Sequence, residues 1–95
     1  MLDEMMLITW DDRKNETNFT KHGVWFEEAQ TILYDPFVFS NGNDHSSGTR
    51  MEYLEASDQH RLIYMVTVEK KDDEIRIISA RKATLNERRR YEEGI

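Results

Sequence analysis

Arginine and lysine residues are concentrated near the C-terminal end of the chain, where they could bind a phosphate. Between residues 76 and 90 there are six basic residues against one acid, Glu87, a local balance of +5. The basic residues of this stretch are Arg76, Arg81, Lys82, Arg88, Arg89 and Arg90. An arginine guanidinium is planar, permanently charged and able to bind two phosphate oxygens at once. The stretch therefore predicts an anion-binding surface, with surface ion pairs as the alternative role for each arginine.

Three histidines could transfer protons near neutral pH: His22, His45 and His60. His22 precedes Gly23, so its alternative role is to satisfy carbonyl groups at the end of a helix. The other two lie in a polar loop and a turn and are interpreted as incidental. The three are too far apart in sequence to indicate a zinc site, and the chain has no H-E-x-x-H motif. We therefore expect neither a metal ion nor another cofactor.

The composition indicates one small domain. A chain of 95 residues suffices for a single hydrophobic core, so residues 1–95 are interpreted as one domain. The absence of cysteine excludes disulfides, thiolate metal sites and thiol catalysis. No apolar run approaches the roughly 20 residues of a membrane span, and the first residues are acidic where a signal peptide is basic. These features predict a cytoplasmic protein with no membrane contact.

The two parts of the chain differ in charge. Residues 1–60 contain four basic residues and twelve acids, a balance of −8, whereas residues 61–95 contain nine basic residues and seven acids, a balance of +2. A protein that binds nucleic acid without specificity is usually basic overall. The charge pattern therefore favours a focused basic site, or a basic partner that covers the acidic part.

The N-terminal third predicts a strand and a helical hairpin. Residues 5–10 are apolar and favour a strand, and Asp11 is a good N-cap for a helix that should end near Gly23. A second helix is predicted over about 25–34, ended by Asp35-Pro36. We expect an apolar stripe of the hairpin to pack on a sheet. The members of this stripe are Phe19, Phe26, Ala29, Ile32 and Leu33.

The remaining residues predict an antiparallel sheet and a short C-terminal helix. An extended segment at 37–39 and a polar loop at 40–49 lead to strands at 51–56, 62–68 and 74–80, with turns at 57–60 and 70–73. Residues 62–68 are apolar on both faces, which is typical of a central strand. After a turn at 80–83, Thr84 and Glu87 have the spacing of a helix capping box.

This order of elements and several short motifs resemble the BrnT family, the toxin half of BrnT/BrnA-type bacterial toxin–antitoxin modules. The matching motifs are Trp10-Asp11, Lys21-His22-Gly23-Val24, Phe26-Glu27-Glu28-Ala29, Asp35-Pro36, Arg50 with Arg61, Ile75 to Ala83, and Glu87, Arg88 and Tyr91. The family usually has a small polar residue at the position of Trp25 and Gly at that of Glu55. The second helix is therefore expected to lack the usual side-chain cap.

The resemblance implies a fold and a function. The fold would be α+β and RelE-like, with an N-terminal strand and helical hairpin packed on an antiparallel β-sheet and a short C-terminal helix. The function would be that of a type II toxin, an endoribonuclease that cleaves RNA without a metal ion and inhibits translation. The implied partner is a BrnA-like ribbon-helix-helix antitoxin, with a possible homodimer within the complex. The alternative is a non-catalytic α+β module that binds a protein or nucleic acid.

The resemblance also suggests site residues. RNA cleavage through the 2′-hydroxyl needs a proton acceptor, a proton donor and cations beside the phosphate. Arg61 and Arg76, at or near the ends of neighbouring strands, could converge on one phosphate, and His22 matches the family motif. The residues expected to bind RNA are Lys21, Arg50, Arg81 and Lys82. Further candidates are Lys21, Glu52 and Tyr91 for proton transfer or substrate positioning, and Trp25 or Tyr53 for base stacking. Strand alternation places Arg76 and Arg81 on opposite faces unless Arg81 lies in the turn.

Overall fold

The structure is a computed structural model that describes residues 6–34, 39–45, 48–70 and 73–94. The helices are α1 (Asp12–His22), α2 (Phe26–Ala29), a 3-10 helix (Gln30–Tyr34) and α3 (Leu85–Glu93). The strands are β1 (Leu7–Thr9), β2 (Phe39–His45), β3 (Gly48–Ala56), β4 (Leu62–Lys70) and β5 (Glu74–Lys82). No helix within these ranges is long and apolar enough to cross a membrane.

Helix α1 begins and ends where the sequence predicts. The carboxylate of Asp11 accepts a hydrogen bond from the backbone N–H of Lys14 at 3.1 Å, which satisfies one of the free donors of the first turn. Gly23 has φ 69° and its N–H bonds the carbonyl of Phe19 at 2.8 Å. This left-handed conformation favours glycine and ends the helix, with Lys21 and His22 in the last turn.

The second helical segment is two short helices. Helix α2 has no side-chain cap at Trp25, as the departure from the family pattern predicts, and it continues as the 3-10 helix Gln30–Tyr34. Phe26, Ala29, Ile32 and Leu33 of the predicted apolar stripe are buried in the core. The predicted end of this segment at Asp35-Pro36 lies outside the described residues.

Phe19 does not belong to the core stripe, so this part of the prediction is wrong. Its side chain is 40% exposed and stacks on Trp25, with ring centroids 4.2 Å apart. The inward side of α1 is occupied by Asn15 and Asn18, which are both buried. The side-chain NH2 of Asn18 donates to the carbonyl of Ala80 at 2.7 Å, and its side-chain oxygen accepts from the N–H of Ala80 at 3.1 Å. Because helix positions are about 100° apart, the residue after Asn18 points away from the sheet.

The sheet has five strands in the order β1-β5-β4-β3-β2. Strand β4 is central, which confirms the interpretation of its apolar sequence. The sheet is mixed and not antiparallel throughout, because β1 runs parallel to β5. Contacts of α1 and α2 with β5, and of the 3-10 helix with β3, place these helices on one face of the sheet. The turn between β3 and β4 lies at residues 57–60, as predicted.

The predicted polar loop at 40–49 is wrong. Residues 39–45 form β2, which pairs with β3 in an antiparallel register that sets Asn43 opposite Arg50. Strand β3 accordingly begins at Gly48, before the predicted start. Strand formation here depends on backbone bonds to a neighbour, which outweigh the poor strand propensity of Ser, Asn, Gly and Asp. The predicted extended residues 37 and 38, and residues 71 and 72 of the predicted turn, lie outside the described part of the chain.

A bulge in β5 changes which side chains share a face. Val66 of β4 pairs with Ser79, but Thr67 pairs with Ile77, so Ile78 is an extra residue. The core residues of β5 are Ile75, Ile77 and Ala80. Ile77 and Ala80 are three positions apart, whereas side chains on one face of a regular strand are two positions apart.

Two expectations for the end of β5 are therefore corrected. Arg76 and Arg81 lie on the same face of the sheet, because the bulge inserts one residue between them. The strand also extends to Lys82, where the sequence suggested a turn from residue 80.

Candidate active site on the open face of the sheet

The sheet face opposite α1 and α2 carries a group of charged side chains around a tyrosine. Paired residues of neighbouring strands share a face. Tyr64 pairs with Arg81, and Val68 pairs with both Arg50 and Arg76, so these residues lie on one face. Glu52 is two positions from Arg50 along β3 and therefore lies on the same face. We call the surface formed by Arg50, Glu52, Tyr64, Arg76 and Arg81 the arginine face.

Tyr64 and Glu52 form a hydrogen-bonded pair at its centre. The Tyr64 hydroxyl donates to the Glu52 carboxylate. Burial, together with the bond to Glu52 and its negative charge, raises the pKa of Tyr64 to about 12. Tyr64 therefore keeps its proton at neutral pH, while the carboxylate beside it can accept one.

Arg81 stands over the ring of Tyr64, with its guanidinium carbon 4.2 Å from the ring centroid. Its two terminal nitrogens donate to the two oxygens of Glu87 at 2.7 and 2.9 Å. The bonds from Arg81 lower the pKa of Glu87 to about 2, and the same pair raises the pKa of Arg81. The pair is therefore ionised at neutral pH, and the cation is held beside the Tyr64–Glu52 pair.

Arg76 and Arg50 extend the positive charge along the face. Arg76 is 4.0 Å from the carboxylate of Glu74, a loose ion pair. The pKa of Asp11 is lowered by its bond from the Lys14 backbone and, to a smaller extent, by Arg76. Arg50 is exposed and lies two strands from Arg76 in the same row, a backbone separation of about 10 Å.

The expected convergence of Arg61 and Arg76 is wrong. Arg61 precedes the first residue of β4, whereas Arg76 pairs with Val68 near the other end of that strand. Seven residues of extended chain separate the two positions, a distance of about 23 Å. One phosphate cannot bridge this gap, so the two arginines belong to different parts of the molecule.

Arg61 instead joins the helical hairpin to the β3–β4 turn. It forms an ion pair with the buried carboxylate of Glu28, through Nε at 2.9 Å and a short bond from Nη2. Nη2 also donates to the carbonyl of Gly23 at 3.0 Å. Glu28 in turn accepts from the Ser57 hydroxyl at 2.6 Å. The Arg61 guanidinium lowers the pKa of Glu28 despite its burial.

The other predicted residues divide between two sides of the molecule. Lys21 and His22, in the last turn of α1, lie beside the Gly23 carbonyl that Arg61 binds, so the structure brings His22 near Arg61 and away from Arg76. Lys82 pairs with the core residue Ile63 and therefore lies on the opposite face from Arg81.

The remaining candidates for proton transfer and stacking are also dispersed. His45 is in β2 and His60 is in the β3–β4 turn, with φ 62°. Tyr91 of α3 donates a short bond to Glu55. Tyr53 is buried in the core, which leaves Trp25 as the exposed stacking candidate.

Sequence reasoning missed Tyr64. Its neighbours Ile63 and Met65 are core residues, and the apolar run of β4 concealed it. Its value as a site residue depends on the cross-strand partners Glu52 and Arg81, which sequence spacing does not reveal. Within the described ranges, no group of three or more His, Cys, Asp or Glu side chains could hold a metal ion.

The fold and the arginine face together define a class of protein. Helices α1 and α2 and the 3-10 helix cover one side of the sheet, while the other side bears several cations around a carboxylate–phenol pair. The cations can bind a polyanionic strand, and the central pair can transfer protons. These are the components of a small α+β nuclease domain.

Comparison with known proteins identifies the family. A family model described as the ribonuclease toxin BrnT of type II toxin–antitoxin systems matches residues 10–87. The chain belongs to this family, whose members are ribonuclease toxins with RNA as target and an antitoxin as partner.

A solved structure supports the same fold. The crystal structure of the Brucella abortus ribonuclease toxin BrnT, at 1.1 Å resolution, is similar with a TM-score of 0.65 and 22% sequence identity. The match covers 83% of this chain and 97% of that one. No curated protein sequence matches the chain.

Proposed function

We propose that the arginine face is where this ribonuclease cleaves single-stranded RNA, with the 2′-hydroxyl of the RNA as nucleophile and no metal ion. The observation that carries the proposal is the stack of Arg81 over Tyr64, whose hydroxyl is bonded to Glu52. This arrangement supplies a proton acceptor, a proton donor and a cation within one group of neighbouring side chains.

The proton transfers can be assigned to the central pair. Glu52 takes the proton of the 2′-hydroxyl as the 2′-oxygen bonds to phosphorus. Tyr64 gives its proton to the 5′-oxygen as the bond from that oxygen to phosphorus breaks. The proton on Glu52 then passes to Tyr64 through their shared hydrogen bond, which restores both groups. The products are a 2′,3′-cyclic phosphate and a 5′-hydroxyl end.

The arginines have a separate task in this mechanism. Arg81 lies beside the central pair and can stabilise the negative charge that develops on the phosphate oxygens. Arg50 and Arg76, about 10 Å apart, can bind phosphates along the RNA chain. We assign Arg61 and His22, which lie away from this face, to the structure of the hairpin.

The experiment is cleavage of a labelled single-stranded RNA by purified protein in the presence of EDTA. Tyr64→Phe, Glu52→Gln and Arg81→Ala should each lower turnover about 10²-fold or more, the range for one general acid–base group or one charge-stabilising donor. Arg13→Ala, an exposed arginine of α1 on the other side of the sheet, is the matched control and should cleave normally. Circular dichroism checks that each variant is folded.

Two results would contradict the proposal. Full activity in both Tyr64→Phe and Glu52→Gln would place the chemistry elsewhere, and loss of wild-type activity in EDTA would require a metal. Binding of RNA by the wild-type protein without cleavage would favour the alternative, a non-catalytic binding module. Product ends give an independent check, since transesterification leaves a cyclic phosphate that blocks the 3′ end.

We also infer the nature of the partner and the setting. The antitoxin would be a BrnA-like ribbon-helix-helix protein that meets residues 1–60, whose charge balance is −8, with a basic or mixed surface. The toxin would act in the cytoplasm as a single domain, with a possible toxin dimer inside the complex. Light scattering gives the mass of the purified complex, and from it the number of toxin and antitoxin chains. A complex with a single toxin chain would exclude the dimer.

A further inference from the structure

We propose that Glu87 is a positioning residue for Arg81, so that helix α3 forms part of the active site although none of its side chains is buried. The inference rests on the proposed function, in which Arg81 acts on the phosphate. It adds a residue and an element that the mechanism above does not use.

The carboxylate of Glu87 serves two groups at once. Its Oε1 atom accepts from the Thr84 backbone N–H at 2.8 Å, which completes the capping box of α3. The same atom accepts from Arg81 Nη1 at 2.7 Å, and Oε2 accepts from Arg81 Nη2 at 2.9 Å. The first turn of α3 and the orientation of the Arg81 guanidinium therefore depend on one side chain.

The contacts of Arg81 leave its useful edge available. A guanidinium has five N–H groups and two edges that can bind a pair of oxygens. Glu87 takes the end edge, formed by Nη1 and Nη2, and the Lys82 carbonyl accepts a further bond from Nη1 at 3.3 Å. Within the described part of the chain, no hydrogen bond uses Nε, so the side edge formed by Nε and Nη2 can receive two phosphate oxygens. Tyr64 lies against the face of the same guanidinium and limits its tilt.

The pairing has opposite effects on substrate binding and on turnover. The carboxylate reduces the net positive charge that the RNA meets, which weakens binding of the ground state. It also holds the guanidinium in one orientation, which is useful when charge develops in the transition state. A positioning role therefore predicts that loss of the carboxylate lowers kcat and leaves KM unchanged or lower.

The test compares three variants of the full-length protein by their kcat and KM for RNA cleavage and by their Tm. Glu87→Gln removes the ion pair but keeps an oxygen for the Thr84 N–H, and should lower kcat about tenfold or more without raising KM. Thr84→Ala removes the hydroxyl of the capping box but leaves the Arg81–Glu87 pair, and should lower Tm with kcat within twofold of wild type. Glu92→Gln, an exposed carboxylate of the same helix, is the charge control and should change neither.

The outcomes separate this inference from the proposed function. Unchanged kcat in Glu87→Gln, or equal loss in Glu87→Gln and Thr84→Ala, would show that Glu87 acts only through helix stability. A faster Glu87→Gln enzyme would show that the pair merely neutralises Arg81. Full activity in Arg81→Ala would overturn the proposed function itself, whereas loss in Arg81→Ala together with full activity in Glu87→Gln would overturn only the role of Glu87.

Discussion

Replacing Arg61 with alanine should destabilise the protein and leave the chemistry of the folded molecule intact. The change removes the partner of the buried Glu28 carboxylate and the bond to the Gly23 carbonyl. Of the contacts described above, the Glu28 carboxylate then keeps only the hydrogen bond from the Ser57 hydroxyl. The hairpin formed by α1 and α2 would lose its side-chain connection through Arg61 to the start of β4.

The size of the effect follows from burial. Removing one partner of a fully buried ion pair costs about 3–5 kcal/mol. The Arg61 side chain is 32% exposed, while that of Glu28 is 3% exposed, so water screens one partner only. We therefore expect a loss of about 2–3 kcal/mol in the free energy of unfolding. In a domain of this size the corresponding fall in Tm is about 10–20 °C.

The pH dependence of unfolding gives a sharper test than the size alone. In the wild-type protein the folded pKa of Glu28 is lowered, first by the bond from Arg61, so its contribution to stability is present above the unfolded pKa of about 4.3. That contribution is lost as the pH falls through the folded pKa. In Arg61→Ala, burial is the largest influence left on Glu28 and raises its pKa in the folded state. Protonation of Glu28 at low pH therefore stabilises the folded state of this variant. The stability difference between wild type and variant should therefore narrow from pH 7 to pH 4.

The assay is urea unfolding at several pH values, followed by RNA cleavage at a temperature where each variant is folded. The double variant Arg61→Ala/Glu28→Gln is the matched control and should recover part of the stability lost in Arg61→Ala, because no buried charge is left unpaired. Cleavage should stay within threefold of wild type. A variant with normal Tm and turnover reduced 10²-fold would show that Arg61 acts on the substrate, against this reasoning.

Three further results are expected. His22→Ala should cleave RNA within threefold of wild type, because its position in the last turn of α1 is away from the arginine face; a loss of 10²-fold in a folded protein would make it a catalytic candidate. Gly23→Ala should lower the free energy of unfolding, measured by urea titration, by about 1–2 kcal/mol, the cost of a left-handed backbone for alanine at φ 69°. No steric clash adds to this cost, because no atom lies within 4 Å of the added Cβ. Raising salt should slow antitoxin association more than it speeds dissociation, as surface plasmon resonance can measure, and a salt-independent association rate would exclude the acidic residues 1–60 as the binding surface.

The features that the sequence predicts well depend on local interactions. Asp11 and Gly23 set the ends of α1 through bonds within a few residues of each, and Thr84 and Glu87 do the same for α3. The central position of β4 follows from its apolar residues on both faces. Local bonding and burial pattern can both be judged from a short segment of sequence.

The features that the sequence does not predict depend on contacts between distant segments. Strand β2 has a polar sequence and forms by pairing with β3. The bulge at Ile78 is visible only in the register between β4 and β5, and without it Arg76 and Arg81 would lie on opposite faces. The arginine face is therefore a product of register, which spacing along one strand cannot give.

Arg61 and Arg81 both pair with a carboxylate, but they differ in which edge of the guanidinium the carboxylate occupies. Glu28 binds Nε and Nη2 of Arg61, and the Gly23 carbonyl takes a second bond from Nη2, so neither edge of this guanidinium remains complete. Glu87 takes only the end edge of Arg81 and leaves the side edge for two oxygens of a ligand. An ion pair by itself therefore does not indicate a structural arginine. The edge that the carboxylate occupies decides whether the guanidinium can still bind a phosphate in bidentate fashion, and on this criterion Arg81 can and Arg61 cannot.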